Sequence, residues 1–278
     1  MSGRISIGRS QAPVQLALGL AALVVITPVA WVIAAGFRTQ ISLLIGEFWF
    51  TPVLSSFQDV LFSKTSVFLT NFGNSLIVGV ASTLITLVAA FLGAWSLHRM
   101  RWPPWTVHLC LGWAMLFHMV PPITLAGAWF TLFRTIGIDN TLFGITLAHA
   151  TLNLPMALWL MGVFVQEVPR ELEEAAFIDG ATTPTLLMKI VAPIVAPGLA
   201  ATAVLCFVFS WNEFAAALVL STKPTATVPV AIAKFAQDFE IQYTQMAASA
   251  ALSIIPAVIL LMICQRYIVK GLTMGAVK

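Results

Sequence analysis

Charge is scarce in this sequence. Only 9% of its 278 residues are Asp, Glu, Lys or Arg, against about 25% in an ordinary soluble domain. So few charges exclude a conventional water-facing surface. Cysteine is scarcer: Cys110, Cys206 and Cys264 lie inside apolar runs at unrelated spacings, which argues against a disulfide or metal framework and for reduced packing residues. The four histidines, His98, His108, His118 and His149, fall on different segments, and no nucleophile–base set or metal-ligand cluster accompanies them. A phosphate-binding loop is missing too. Gly271 through Lys278 holds glycines and a lysine but lacks the G-x4-G-K-S/T spacing, and no strand precedes it. The chain is therefore expected not to be an enzyme and to carry no cofactor or metal of its own.

What the sequence has in quantity is apolar length. Hydrophobic residues make up 59%, and they gather into six runs long enough to cross a hydrocarbon layer of about 30 Å. These are read at about 13–36, 74–97, 106–131, 142–165, 198–220 and 246–268. Their periodicity is helical or absent rather than alternating, which disfavours a β-barrel. The expectation is an all-α integral membrane fold, one transmembrane domain over 1–278, with six transmembrane helices. The first run follows Arg4 and Arg9 and resembles a secretory signal in outline. Its length and the five further runs argue for an uncleaved helix.

Basic residues give the sidedness. With the N-terminus inside, Arg4, Arg9, Arg99, Arg101, Arg170, Lys189, Arg266, Lys270 and Lys278 fall on inner segments or span ends. Arg38, Lys64, Arg134, Lys223 and Lys234 fall on outer ones. The excess places both termini in the cytoplasm. It also accounts for the net charge of +3 without a nucleic-acid partner.

Between spans 4 and 5 lies a polar island, residues 168–197, reading VPRELEEAAFIDGATTPTLLMKIVAPIVAP. Pro169 suits the first turn of a helix, and Glu171, Glu173 and Glu174 suit the positive end of its dipole. Leu172, Ala175, Ala176 and Asp179 are expected on one flat face. Gly180 can end that helix in a left-handed conformation. Thr182 or Thr183 can cap a second helix with Pro184 at its start, and Pro193 and Pro197 break the path back into the membrane. The prediction is helix, glycine bend, helix.

The spacing of this island resembles the EAA loop of bacterial ABC-importer permeases. Glu174-Ala175-Ala176, then Gly180, Ile190 and Pro193 stand at the family's intervals, with Ala192 where a leucine is usual. Three further stretches resemble the carbohydrate (maltose-type) branch of that family. They are Thr-Asn-Phe-Gly-Asn-Ser at 70–75, Trp211-Asn212-Glu213 in the fifth span, and the tail from Gln265 to Lys278. Together the matches cover most of 70–278.

The resemblance implies a cytoplasmic coupling loop, with Glu174 pairing to a basic residue of an ATPase and Ala175, Ala176, Asp179, Gly180, Ile190 and Pro193 completing the contact. It implies a second homologous permease, an ABC ATPase dimer and an extracytoplasmic solute-binding protein as partners, in a bacterial inner membrane with lipid around the helices. It also implies a carbohydrate-type solute, and a tail that reaches toward the ATPase dimer. The outer segment 221–245 would touch the capture protein. Residues 37–69 are expected to form one or two short interfacial helices.

Polar residues inside spans are the remaining candidates. Asn153, Trp211, Asn212 and Glu213 are expected along the translocation path. For His118 and Asn153 packing or interhelical hydrogen bonds are favoured over contact with a ligand. Glu213 is read as an acid inside the fifth span, which costs about 2.5–3.5 kcal/mol at a helix centre, so it faces the bundle interior or water. A structural hydrogen bond there is as open as a place on the path. The alternative function is an ion-coupled secondary transporter using Glu213. Such carriers show paired broken helices in inverted repeats, and no such pair is visible in the sequence.

Overall fold

The computed structural model describes residues 12–236 and 241–274; of Ala12 and of residues 266–274 only the backbone is described. Every regular element among them is helical. The residues fall into two compact units: Met1–Ser66 with Phe235–Leu252, and Val67–Lys234 with Ser253–Lys278. Arg4, Arg9 and Lys278, used above for sidedness, and the last four residues of the tail lie outside the described residues.

The first unit begins with α1 (Ala12–Gly36). Its sequence has no polar stripe, and the hydroxyl of Thr27 bonds back to the Leu23 carbonyl at 2.6 Å, so the helix offers apolar surface on all sides. Two short helices, α2 (Gln40–Leu44) and α3 (Ser55–Phe62), follow as expected for 37–69. Arg38, just before α2, is buried. Its guanidinium lies 4.1 Å over the Phe50 ring and 5.2 Å from that of Trp31, and Nη1 donates to the Glu47 carbonyl at 2.8 Å. Gln40 ties this region to the start of the last helix by donating to the Ile241 carbonyl at 2.6 Å.

The second unit is built on α4 (Phe68–Arg99), six residues longer at its start than the expected span. Its neighbours are α5 (Pro104–His118), α6 (Pro122–Ile136) and α7 (Leu142–Gln166). Next come α8 (Arg170–Ile178) and α9 (Thr183–Leu186), then a π-helical turn, Leu187–Val191. The chain continues as α10 (Ala192–Ile194), α11 (Ala196–Asn212), α12 (Ala215–Leu220) and α13 (Val228–Lys234). Last is α14 (Tyr243–Met274), which starts in the first unit and continues in the second.

Small residues set how closely these helices approach. Ala90 and Ala94 of α4 meet Ala157 and Met161 of α7, with Trp95, Val165 and Cys206 in the same core. At Gly198 an added Cβ would collide with the Phe164 ring, so only glycine lets α11 lie against α7 there.

Among the described residues four helices are individually long and apolar enough to span a membrane, and there are six candidates if each of two bent pairs counts as one span. The expected third span, 106–131, is not continuous. It breaks at Met119–Pro121 and bends by 99° between α5 and α6, because Pro121-Pro122 withdraws two backbone donors and fixes φ. The expected fifth span, 198–220, also fails as one helix. It stops at Asn212, and Glu213 is extended at φ −68°, ψ 123°. Pro155, by contrast, is accommodated inside α7, buried against its neighbours.

Candidate functional site

The island at 168–197 folds as helix, left-handed glycine, helix. Gly180 has φ +82°. Its N–H reaches the Phe177 carbonyl at 3.0 Å, and Ala181 N–H reaches Ala176 at 2.9 Å. That double bond pattern closes a helix C-terminus and requires the left-handed residue. Thr182 stands at the N-cap position of α9 with Pro184 just after it. Its hydroxyl pairs with that of Thr185 at 3.0 Å instead of capping the backbone.

The acids of α8 divide between two environments. Glu174, with Glu171, is exposed. Glu173 is buried, and its Oε1 lies 2.7 Å from Arg99 Nε. The indole N–H of Trp95 donates to Oε2 at 3.1 Å. Arg99 Nη2 then donates to the carbonyls of Val165 and Val168 at 2.8 and 2.6 Å. A cation thus satisfies the free carbonyls at the end of α7, and one guanidinium joins α4, α7 and α8. Sequence reading missed this clamp. Its signal was Trp95 and Arg99 at i and i+4 on the end of a span.

Ala176 is not on the docking face expected for it. Glu173 and Ala176, three apart, point inward together, and Ala176 enters the core with Val168 and Leu186. Glu174, Ala175, Asp179 and Gly180 remain exposed, as do Leu172, Phe177, Ile178 and Met188. Ile190 is half-buried against the core, and Pro193 is exposed.

A second site lies where the two broken spans meet. A cavity of about 130 Å³ is lined by Phe117, His118, Val120 and Pro122 at the α5/α6 break, by His149, Leu152 and Asn153 of α7, and by Phe209, Ser210 and Glu213 at the α11/α12 break. Irregular backbone at membrane depth is tolerated where it is buried in protein or borders a cavity. Glu213 is not a mid-helix acid. Its two carboxylate oxygens accept the N–H groups of Ala216 and Ala217 at 2.8 and 2.9 Å, so it ends α11 and caps α12.

His149, buried in α7, stands beside it. Its Nε2 lies 3.2 Å from Glu213 Oε2, off the line of a well-directed hydrogen bond. Its Nδ1 is 2.8 Å from Ser210 Oγ, which in turn accepts from Ser82 Oγ at 3.0 Å. Asn153 donates to the Cys206 carbonyl at 3.2 Å. Asn153 and Glu213 are therefore brought together, and His118 joins them. Trp211 and Asn212 are not: Trp211 stacks on Phe207 at 5.6 Å and donates to the Ser253 carbonyl at 3.1 Å, while Asn212 bonds back to Val208 of its own helix. His149, Ser210 and Ser82 were missed. The i, i+4 pair His149/Asn153 and the i, i+3 pair Ser210/Glu213 were the available signal.

The segment after α12 is fastened to the start of α4. Asn74 Nδ2 donates to the carbonyls of Pro224 and Ala226 at 2.9 and 3.0 Å, and Ser75 Oγ accepts the Val228 N–H at 2.7 Å. Asn140, left-handed at φ 53°, accepts the N–H of Thr222 at 3.0 Å and its hydroxyl at 2.8 Å. Residues 237–240 of the expected outer segment 221–245 lie outside the described residues. Among the described residues no group of three His, Cys, Asp or Glu is placed to hold a metal ion.

Comparison with known proteins places this geometry. Residues 85–274 match the model of the binding-protein-dependent transport system inner membrane component family. The chain is similar to the trehalose transport system permease protein SugB of Mycobacterium tuberculosis (strain CDC 1551 / Oshkosh), with 35% identity over 90% of this chain and 92% of that protein. It is also similar to the trehalose/maltose transport system permease protein MalG of Thermococcus litoralis, with 33% identity over 93% of this chain and 94% of that one. Among solved structures it resembles a chain of a bacterial ABC transporter involved in the import of the acidic polysaccharide alginate. That match has a TM-score of 0.77 and 23% identity over 96% of this chain and 100% of the other. Broken helices are thus present after all, but on an ABC-permease fold rather than that of an ion-coupled carrier. The chain belongs to the family of binding-protein-dependent transport system inner membrane components, and is the multi-pass membrane subunit of an ABC importer whose ATP hydrolysis resides in a separate subunit.

Proposed function

We propose that this chain acts as one transmembrane permease domain, forms half of the translocation path for a carbohydrate-type solute, and pairs with a second homologous permease. Sugar-transport permeases among its relatives support the solute class. The distribution of Lys and Arg supports cytoplasmic placement of both termini and of the helix–turn–helix. The apolar surface of α1, exposed along most of its length, suits lipid or the second permease.

The observation that carries the reading is the division of acids on α8. The buried Glu173–Arg99 pair fixes the helix to α4 and α7, so a push on its outer face moves the membrane helices rather than bending a loop. That outer face presents Glu174, Ala175, Asp179 and the Gly180 turn, flanked by Leu172, Ile178 and Met188. It suits an ATPase cleft that takes a small-residue helix and pairs one basic side chain with Glu174. Ile190 packs against the core that Ala176 of α8 enters, and Pro193 is exposed on the following turn. The segment 221–236, held by Asn74, Ser75 and Asn140, is the proposed contact for the solute-binding protein.

The test is a crosslink. A photoreactive group on a cysteine placed at Ala175, in the assembled importer, should capture the ATPase subunit. Capture of lipid or of this chain alone would sink the docking assignment.

A further inference from the structure

We infer that the cavity at the two helix breaks is a transit subsite in this subunit for one neutral, hydroxyl-rich ring, and that it disfavours anionic solutes. The inference deepens the carbohydrate reading above and rests on it.

Size comes first. A water takes about 30 Å³ of liquid, so about 130 Å³ has room for a few waters or for one face of a single ring. Enclosing sites for larger ligands run from about 300 Å³ upward, so a disaccharide would pass through this space one ring at a time.

The lining then selects the chemistry. Phe117 and Phe209 offer apolar edges for the C–H face of a ring. Among the described residues His118 has no hydrogen-bond partner, and Asn153, oriented by its bond to Cys206, keeps its amide oxygen. An ionised carboxylate has about four acceptor positions. Two of those on Glu213 are filled by Ala216 and Ala217 N–H, and His149 approaches a third edge, so capacity remains for a solute hydroxyl. Because Glu213, Asn153 and Ser210 already have internal partners, an empty cavity strands few polar groups, and a passing ring gains only a weak, releasable set of hydrogen bonds.

Charge settles the exclusion. None of the described residues lining the cavity is Lys or Arg. The amide N–H groups at the start of α12, which could hold an anion, are occupied by Glu213 itself, which leaves His118 and His149 as the basic side chains on the lining, His149 already facing the Glu213 carboxylate and Ser210. A second carboxylate, sulfonate or phosphate would meet the Glu213 charge at close range in a partly dry space, where like charges repel far more than in water.

The experiment uses the whole importer in proteoliposomes with its capture protein. The probes are a panel of neutral mono- and disaccharides, trehalose among them, and their monocarboxylate analogues. Uptake by the unaltered importer comes first, and neutral members should be carried in preference to the acids. If no sugar of either class enters, the carbohydrate reading falls and this inference with it. If acids enter as well as neutral sugars, the selectivity claim is overturned.

Occupancy is then read from Leu152→Cys, with Cys110 and Cys264 replaced, by the rate of modification with a methanethiosulfonate reagent. A transported sugar should slow modification several-fold, whereas ATP turnover with an empty capture protein should not. Val120→Cys, at the α5/α6 break, gives a second reporter on the lining should the first variant fail to assemble. Uptake that continues with unchanged modification at the reporter would place the solute elsewhere and overturn the subsite.

Discussion

The two ends of α4 do the same job with different chemistry. At one end Trp95 and Arg99 hold α8 and the carbonyls that close α7. At the other, Asn74 and Ser75 hold the backbone of 224–228. Asn74 and Arg99 stand 25 residues apart on one unbroken helix, about 38 Å at 1.5 Å per residue. The Arg99 end uses a buried ion pair; the Asn74 end uses neutral amide and hydroxyl groups. A buried pair tolerates no partial loosening, since either charge left alone is costly. Neutral hydrogen bonds can exchange for water at a modest cost. The difference suits a handle that must transmit force at one end and a segment that must engage and release a partner at the other.

The strongest way to break this contrast is to strand one charge. Glu173→Ala should destabilise the subunit by about 3–5 kcal/mol, read as loss of assembled complex or a large drop in thermal midpoint. Arg99→Met with Glu173→Leu should recover part of that stability, because an apolar pair of similar size can replace a buried ion pair, while the Trp95 N–H and the Val165 and Val168 carbonyls lose these partners. If the single variant is as stable as the wild type, the clamp is not the rigid joint described. At the opposite end, Asn74→Ala leaves the carbonyls of Pro224 and Ala226 without that donor. The expected cost is smaller, about 1–3 kcal/mol, with uptake at low capture-protein concentration falling more than assembly does. A loss as large as that of Glu173→Ala would erase the distinction between the two ends.

Much of the architecture was legible because membrane spans are written in length and hydropathy. The 13–36 and 142–165 runs match α1 and α7 within a residue, and Gly180 was readable as a turn since only a left-handed residue serves there. The two breaks were not equally legible. Pro121-Pro122 announced a kink but not a bend of 99°, and Glu213 read as an acid in mid-helix because nothing local said that its carboxylate would cap the next helix. The acids of α8 show the limit most clearly. Three glutamates within four positions look alike in sequence, and only the position of Arg99, 74 residues before Glu173, decides which of them is structural. Trp211 and Asn212 lie off the cavity for a related reason. A polar side chain in a span needs a partner, but the sequence does not say whether that partner is a solute, another helix or its own helix backbone.

A milder probe of the handle is Gly180→Val. With φ at +82° a β-branched residue is strained by about 1–2 kcal/mol, and nothing lies within 4 Å of where its Cβ would stand. The penalty is therefore conformational and local. The complex should still assemble, with hydrolysis of ATP less tightly tied to uptake. Full uptake with normal assembly would count against the turn as part of the handle.

The smallest effect on stability, and the sharpest on function, is expected of Glu174→Lys. Glu174 is exposed and has none of the partners that hold Glu173 in place. Surface substitutions of this kind usually fall within about 0.5 kcal/mol, so the thermal midpoint of the isolated subunit should hardly move. On the proposed docking face, however, the reversed charge would meet a basic side chain of the ATPase, and association should weaken enough to abolish uptake. Reversing that basic residue to an acid should restore part of it. The pair of neighbouring glutamates then makes the comparison within a single turn of helix: Glu173→Ala should lose stability, and Glu174→Lys should lose only coupling. If Glu174→Lys unfolds the subunit, or transports normally in the assembled importer, the assignment of inward and outward roles on α8 is wrong.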